Sequence, residues 1–205
     1  MDDKINTIKS WLGTGTINIF GLPFSGKDTQ CETIAEIVGA TTASSGAIFR
    51  EQENNVELQQ IMATGALIPS DMFFDIMLPF FSKPELAGKP LVLSSVGRMK
   101  GEELPIVQAT NASNHPIKAV VLLTIPEEAI WQRHRAALAV NDRGNRADDA
   151  NDEILKNRIA KFNSQTLPVI DFYRSQGLLI EIDGTPEPEK VTENIIDALY
   201  EIAKS

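Results

Sequence analysis

Between Ile17 and Val38 the chain reads INIF, then GLPFSGK, then DTQCETIAEIV. An apolar, partly β-branched run, a glycine-bounded turn ending in lysine, and a helical pattern follow one another without a gap. That order constrains the fold more than any other stretch. A strand has to end there, the loop has to turn its backbone N–H groups inward, and a helix has to begin with its positive end at the same spot. Gly21, four residues, Gly26 and Lys27 fit the first part of the G-x-x-x-x-G-K-[ST] phosphate-loop pattern. The hydroxyl comes one residue late, at Thr29, and its expected place is taken by Asp28. Strand and helix context is what separates a phosphate loop from a glycine-rich turn that binds nothing. In that context Lys27 reaches for the β- and γ-phosphates of a nucleotide, and Thr29 lies near magnesium.

The same alternation runs through the rest of the chain. Residues 17–21, 91–95, 119–125 and 178–183 are compact apolar runs that predict strands, the first three buried on both faces. A further short strand is expected near 40–42. Helices are predicted over 27–38, 48–53, 56–64 with Gly65 as its stop, 72–81 opened by Asp71, 100–111, 126–139, 152–175 and the C-terminal stretch, where Ile195, Ile196, Leu199 and Ile202 share a face. Ile5, Ile8 and Leu12 give the N-terminus a short packing helix. Strands alternating with helices predict an α/β sandwich around a mainly parallel sheet. Residues 136–152 are polar and interrupt two helices, as a mobile loop or a plain surface connection would; Arg143 and Arg146 favour the mobile, functional reading.

Composition narrows the partners. A chain of 205 residues with 42% hydrophobic side chains suits one domain with a real core. Its formal net charge of −9 argues against non-specific binding to nucleic acid, so any basic site has to be local. Cys31 is the single cysteine, which removes internal disulfides and cysteine-rich zinc sites. No run approaches the roughly 18 apolar residues that span a bilayer, and the acidic N-terminus is unlike a signal peptide. A cytoplasmic protein without a membrane partner is expected.

Arginines are scattered at 50, 98, 133, 135, 146 and 158. Individually they suggest solvated surface, where ion pairs contribute little. The segments around them supply a framework. GLPFSGKDTQ resembles the loop GxPGxGKGTQ, SSGAIFR resembles STGDLLR, and IMATGALIPSD resembles IMxxGxLVPDE. LSSVGRMKGEE stands where LDGFPRTxxQA would, and NRADDANDEILKNRI resembles GRxDDxxExxxxRL. All belong to adenylate kinases, or more broadly nucleoside-monophosphate kinases. The chain resembles that family in the right order over about residues 15–204.

The resemblance implies a P-loop NTPase-type three-layer core on a five-stranded parallel sheet, in a single domain. A small helical monophosphate-binding segment would lie at about 44–74 and a short lid, without a zinc-binding insertion, at about 138–148. It implies reversible transfer of a γ-phosphoryl from Mg·ATP to a nucleoside monophosphate by a monomer. Gly21, Pro23, Ser25, Gly26, Lys27, Asp28 and Thr29 would hold the ATP phosphates, with Arg133 stacked on the donor base. Ser45, Arg50, Gly65, Leu67, Arg98 and Glu102 would hold the monophosphate. Lys27, Arg98, Arg146 and Arg158 would surround the transferring group. Phosphoryl transfer asks for positioning and positive charge more than covalent chemistry, and arginine forks match phosphate oxygens.

Four departures qualify this picture. Two carboxylates that in the family order the water shell of magnesium are replaced, by Ala47 and Ser94. One extra residue separates Asp149 from Arg158, which makes the helical register of Arg158 uncertain. A further family arginine falls on Ala137, leaving Arg135 or Arg143 as stand-ins. Glu102 replaces the glutamine that reads adenine; ionised, it only accepts hydrogen bonds and suits guanine better, unless it points to solvent and the base is held by main chain around 65–69. AMP is the expected acceptor, with GMP, CMP or UMP as alternatives, and a nucleotide-binding protein with weak catalysis as a third. Asp28 either supplies the missing outer-shell charge near Thr29 or sits in the helix's first turn, turned from the ligand.

Overall fold

The computed structural model describes residues 2–64, 66–140 and 152–204. Five parallel strands form its sheet: β1 (Thr16–Gly21), β2 (Thr41–Ser44), β3 (Leu91–Ser94), β4 (Ile117–Thr124) and β5 (Leu179–Asp183), in the spatial order β2-β3-β1-β4-β5. β1 lies at the centre and is buried along its whole length, its polar Thr16 and Asn18 included. Helices cover both faces. On one, Ile17 and Ile19 of β1 meet α1 (Asp2–Leu12), α2 (Lys27–Val38) and α10 (Pro188–Lys204) through Ile8, Leu12, Ile34, Ile195 and Leu199. On the other, Phe20, Leu93 and Val120 meet Met77 of α5 (Ser70–Phe80), Ile106 of α6 (Glu103–Ala112) and Val169 and Tyr173 of α9 (Leu167–Ser175). The three-layer α/β architecture expected from the sequence is what the chain adopts.

The remaining elements are α3 (Ser45–Arg50), α4 (Val56–Ala63), α7 (Glu127–Val140) and α8 (Asp152–Lys161). Where they differ from the sequence expectation, local chemistry accounts for it. The helix expected from Lys100 starts at Glu103, because Gly101 has φ 99° and ends the preceding turn outside the helical region. The helix expected at 48–53 begins three residues earlier, where Ser44 caps it by accepting the Ala47 N–H. α5 starts at Ser70 after Pro69, and Asp71 lies within its first turn rather than ahead of it. The continuous helix expected over 152–175 is interrupted by a π-helical turn, Phe162–Thr166. Pro168 follows two residues after it; it offers no N–H, and its ring would press on the carbonyl four residues back, so a wider turn relieves the contact. Among the described residues no helix is long and apolar enough to cross a membrane.

Candidate active site

The site is built at the carboxyl end of the sheet, where β1 gives way to α2. Gly21 has no room for a side chain: a Cβ there would lie 2.4 Å from Ser25 Oγ. Gly26 takes φ 88° and turns the chain into α2 with no side-chain cap, which gives the helix N-terminus the character of an anion site. Ser25 is buried, and its hydroxyl is without a hydrogen-bond partner among the described residues. Lys27 opens the helix and lines a cleft shared with Gly21, Pro23, Asp28, Arg50, Arg98 and Arg158. Burial lowers the Lys27 pKa, Arg158 and Arg98 push it the same way, and Asp28 opposes them. Cations from α2, from the turn after β3 and from α8 thus repel one another around one space, which an anion would relieve.

Asp28 lies in the first turn of α2 and lines this cleft. Its Oδ1 accepts a hydrogen bond of 2.6 Å from Ser94 Oγ and lies 3.3 Å from Lys27 Nζ. A carboxylate therefore stands beside the end of β3, carried there by the loop instead of by the strand.

Arg98 follows β3, and its backbone is fixed from both sides. Its N–H donates to Glu102 Oε2 at 2.7 Å, and its carbonyl accepts from Thr166 Oγ1 at 3.0 Å. Glu102 also takes the Met99 N–H at 3.0 Å, and its Oε1 takes the Ser70 hydroxyl at 3.0 Å. The residue is 2% exposed, which rules out the solvent-facing alternative. Burial raises its pKa, against the pull of these three donors and the Arg98 charge. Ser45, Leu67, Arg98 and Glu102 line a narrow extension of the cleft with Phe49 and Phe73. Asn157 Nδ2 reaches the Thr64 carbonyl at 3.2 Å, so α8 touches the end of α4 across the cleft mouth.

A second cavity opens on the other side of the loop. It is lined by Ser25, Gly26, Thr29, Arg133 and the 184–188 turn. Arg133 spends its guanidinium edge on carbonyls: Nη1 donates to Phe24 at 3.1 Å, and Nη2 to Gly184 at 2.9 Å and Thr185 at 3.2 Å. With its edge engaged, the flat face is what the side chain offers to a ligand, and a guanidinium face stacks on aromatic rings.

Two cavities on either side of one loop, each with arginine in its lining, agree with the comparisons to known proteins. The adenylate kinase family model matches residues 19–178. The chain belongs to the adenylate kinase family. Among its relatives, the adenylate kinase of Bacteroides fragilis is 30% identical over 188 residues, 89% of this chain and 97% of the relative. That of Leptospira biflexa serovar Patoc is 28% identical over 184 residues, 87% and 96% of the two chains. That of Methanosarcina barkeri is 27% identical over 215 residues, 91% and 99%. The chain is accordingly an enzyme, a nucleoside-monophosphate kinase.

The kinase distributes the residues expected from its sequence between the two cavities. Gly21, Pro23, Lys27, Asp28, Ser45, Arg50, Leu67, Arg98 and Arg158 line the cleft, and Glu102 its extension. Ser25, Gly26, Thr29 and Arg133 line the second cavity. Thr29 and Asp28, expected to serve one metal together, thus face different spaces, since neighbouring helix residues point about 100° apart. Arg135 is exposed, and Ala137 packs against the cluster around Phe24, so neither enters the cleft. Gly65, Arg143 and Arg146 lie outside the described residues, as does most of the expected lid. The sequence reading missed Ser70 and Thr166, which act on the site only through Glu102 and the Arg98 carbonyl, and it missed Lys161 and Phe162 in the cleft wall. The i, i+3 spacing of Lys161 from Arg158 was a usable signal for that residue. Among the described residues no group of three or more His, Cys, Asp or Glu side chains is placed to hold a metal ion.

Proposed function

We propose that the kinase transfers the γ-phosphoryl of Mg·ATP to AMP, reversibly, giving two ADP. One observation carries this: Lys27 lines the cleft under the combined push of Arg98 and Arg158, so positive charge gathers beside the loop where a phosphoryl group would pass. The second cavity takes the ATP nucleoside, with its base on the face of Arg133, and the loop N–H groups, the buried Ser25 hydroxyl and Lys27 take its phosphates. The cleft takes the monophosphate, gripped by Arg50 and Arg98 with its base in the extension beside Glu102, Ser45 and Leu67. Arg158, joined by Arg146, closes over the transferring group and excludes water, the competing acceptor. In catalysis of this type positioning and electrostatics do the work.

Magnesium, when bound with ATP, neutralises charge between the phosphates. The residues present suit it: the ion keeps several waters and needs one or two carboxylates nearby, and Asp28, oriented by Ser94, provides one at the cleft floor. No zinc is involved. The enzyme acts as a cytoplasmic monomer on free nucleotides, apart from nucleic acid and membranes.

A second acceptor has a specific observation in its favour. Glu102 lines the base extension, and its Oε1, which takes only the Ser70 hydroxyl, has room for one further donor such as the N1–H or N2–H of guanine. The purified enzyme with Mg·ATP and AMP, GMP, CMP, UMP or dAMP separates the possibilities. AMP should be turned over best; preference for GMP would move the assignment to guanine. Measurable ATP binding with no turnover of any of the five would refute kinase activity.

A further inference from the structure

Phe24 stands inside the phosphate loop at φ 63°, a left-handed conformation that costs any side chain with a Cβ and costs glycine nothing. In the family loop pattern GxPGxGKGTQ the corresponding position is glycine. The bulky residue is therefore held in an unfavourable backbone state, and something outside the loop has to hold it there. The side chain shows what. It is 5% exposed and packs with Ile125, Ile130, Leu155 and Ile159, with Trp131 and Ala137 against the same cluster. Its ring meets the edge of the buried His134 at 5.2 Å between centroids and 63° between planes. Ile130, Trp131, His134 and Ala137 belong to α7, and Leu155 and Ile159 to α8. The backbone is tied to the same place, since the Phe24 carbonyl accepts from Arg133 Nη1.

We infer that Phe24 is a positioning residue that keys the phosphate loop into the α7–α8 pair, so that loop occupancy and the placement of Arg133 and Arg158 change together. Arg133 is on α7 one residue before His134, and Arg158 is on α8 one residue before Ile159. The apolar residues that hold the ring and the cations are thus neighbours on the same two helical turns, Arg133 beside Ile130 and Ala137, and Arg158 beside Leu155. A loop that shifts by a fraction of an ångström on taking up polyphosphate moves these residues, and the arginines with them, because packed side chains transmit displacement instead of absorbing it. A glycine loop would bind phosphate equally well and have no such grip on the helices. The inference rests on the assignment of the loop as the ATP-phosphate site.

The test uses Trp131 as reporter. The chain has two tryptophans, Trp11 and Trp131, so Trp11→Phe leaves the one beside the cluster. ATP without acceptor should change the Trp131 emission of this enzyme. Phe24→Gly, which suits the loop's backbone, should keep ATP affinity within about threefold, lose most of the Trp131 response, and lower kcat about ten- to a hundredfold, the penalty typical of slight misplacement. Phe24→Leu, which restores apolar volume, should recover much of both. A Phe24→Gly enzyme with reduced thermal stability but an intact Trp131 response and kcat would overturn the inference. A second measurement on unaltered enzyme covers failure of the glycine variant to fold. Tripolyphosphate reaches the loop but has no base for Arg133; it should slow amide hydrogen exchange across residues 127–137, and unchanged exchange there would equally overturn the inference. Neither binding readout needs turnover, so inactivity towards every monophosphate would count against the proposed reaction and not against Phe24.

Discussion

Removing the Glu102 carboxylate should cost the enzyme more than removing its charge. In Glu102→Ala the N–H groups of Arg98 and Met99 and the Ser70 hydroxyl lose their acceptor in a site where Glu102 is 2% exposed. A buried donor left without a partner costs about 1–3 kcal/mol. Two such N–H groups, less the cost of burying an ionised carboxylate, give about 2–4 kcal/mol of lost stability. For a chain of this size that corresponds to a fall in Tm of about 5–15 °C. Glu102→Gln keeps an oxygen for the two N–H groups, and the Ser70 hydroxyl can turn to accept from the new amide, so its cost should stay near 1 kcal/mol. Urea denaturation of the nucleotide-free proteins measures both. The pH dependence gives an independent check. Burial raises the Glu102 pKa, so its contribution to stability is fully present below the unfolded value and is lost as pH rises through the raised folded value. Glu102→Gln should lack that slope. If Glu102→Ala proves as stable as Glu102→Gln, the carboxylate is not what holds the Arg98 turn, and the account of the acceptor site built on it is wrong.

Asp28→Gly should raise the magnesium concentration needed for half-maximal activity and weaken Mn·ATP binding in a spin-resonance titration; adding Ser94→Asp should restore both by returning the carboxylate to β3. An unchanged metal dependence would show that Asp28 does not order the ion. Lys27→Met should lower turnover by about a hundredfold or more, as loss of a preorganised charge does. Because burial and the nearby Arg158 and Arg98 lower the Lys27 pKa, the wild type should gain stability as pH rises towards the ordinary lysine value of 10.5. Lys27→Met should lack that gain and, without nucleotide, should melt no lower than the wild type; a lower Tm would contradict the electrostatic picture.

Much of this architecture was legible before any coordinates. The strand, loop and helix from Thr16 to Val38 announced themselves because the phosphate loop needs contiguous residues, and contiguity is what a sequence displays. The apolar runs that became β3 and β4 were found within a residue or two at their ends, since burial on both faces leaves an unbroken pattern, and β5, placed as closely, alternates Ile180 and Ile182 with exposed acids. What failed was chemistry acting at a distance. Glu102 could be read as a base contact or a solvated residue, but not as the acceptor for its own turn and for Ser70, 32 residues away. Asp28 looked like an intruder in a loop until Ser94, 66 residues on, was found donating to it. The interruption at Phe162–Thr166 was hidden because periodicity on either side of a single wide turn still reads as helix.

Asn18 lies in the middle of β1, three residues before the phosphate loop, and its buried side-chain amide copies a peptide group. Its Nδ2 donates to the Val96 carbonyl at 2.8 Å, and its Oδ1 accepts the Val96 N–H at 3.2 Å; beside it the Ser95 N–H donates to the Ile19 carbonyl at 3.0 Å. The segment that delivers Arg98 is therefore stitched to the strand that delivers Lys27. Whatever the helices do as nucleotides arrive and leave, Lys27 and Arg98, the proposed grips on donor and acceptor phosphates, are mounted on one rigid bar. The gap a phosphoryl group has to cross is then a fixed dimension of the frame, and the moving parts decide only when the crossing is sealed from water.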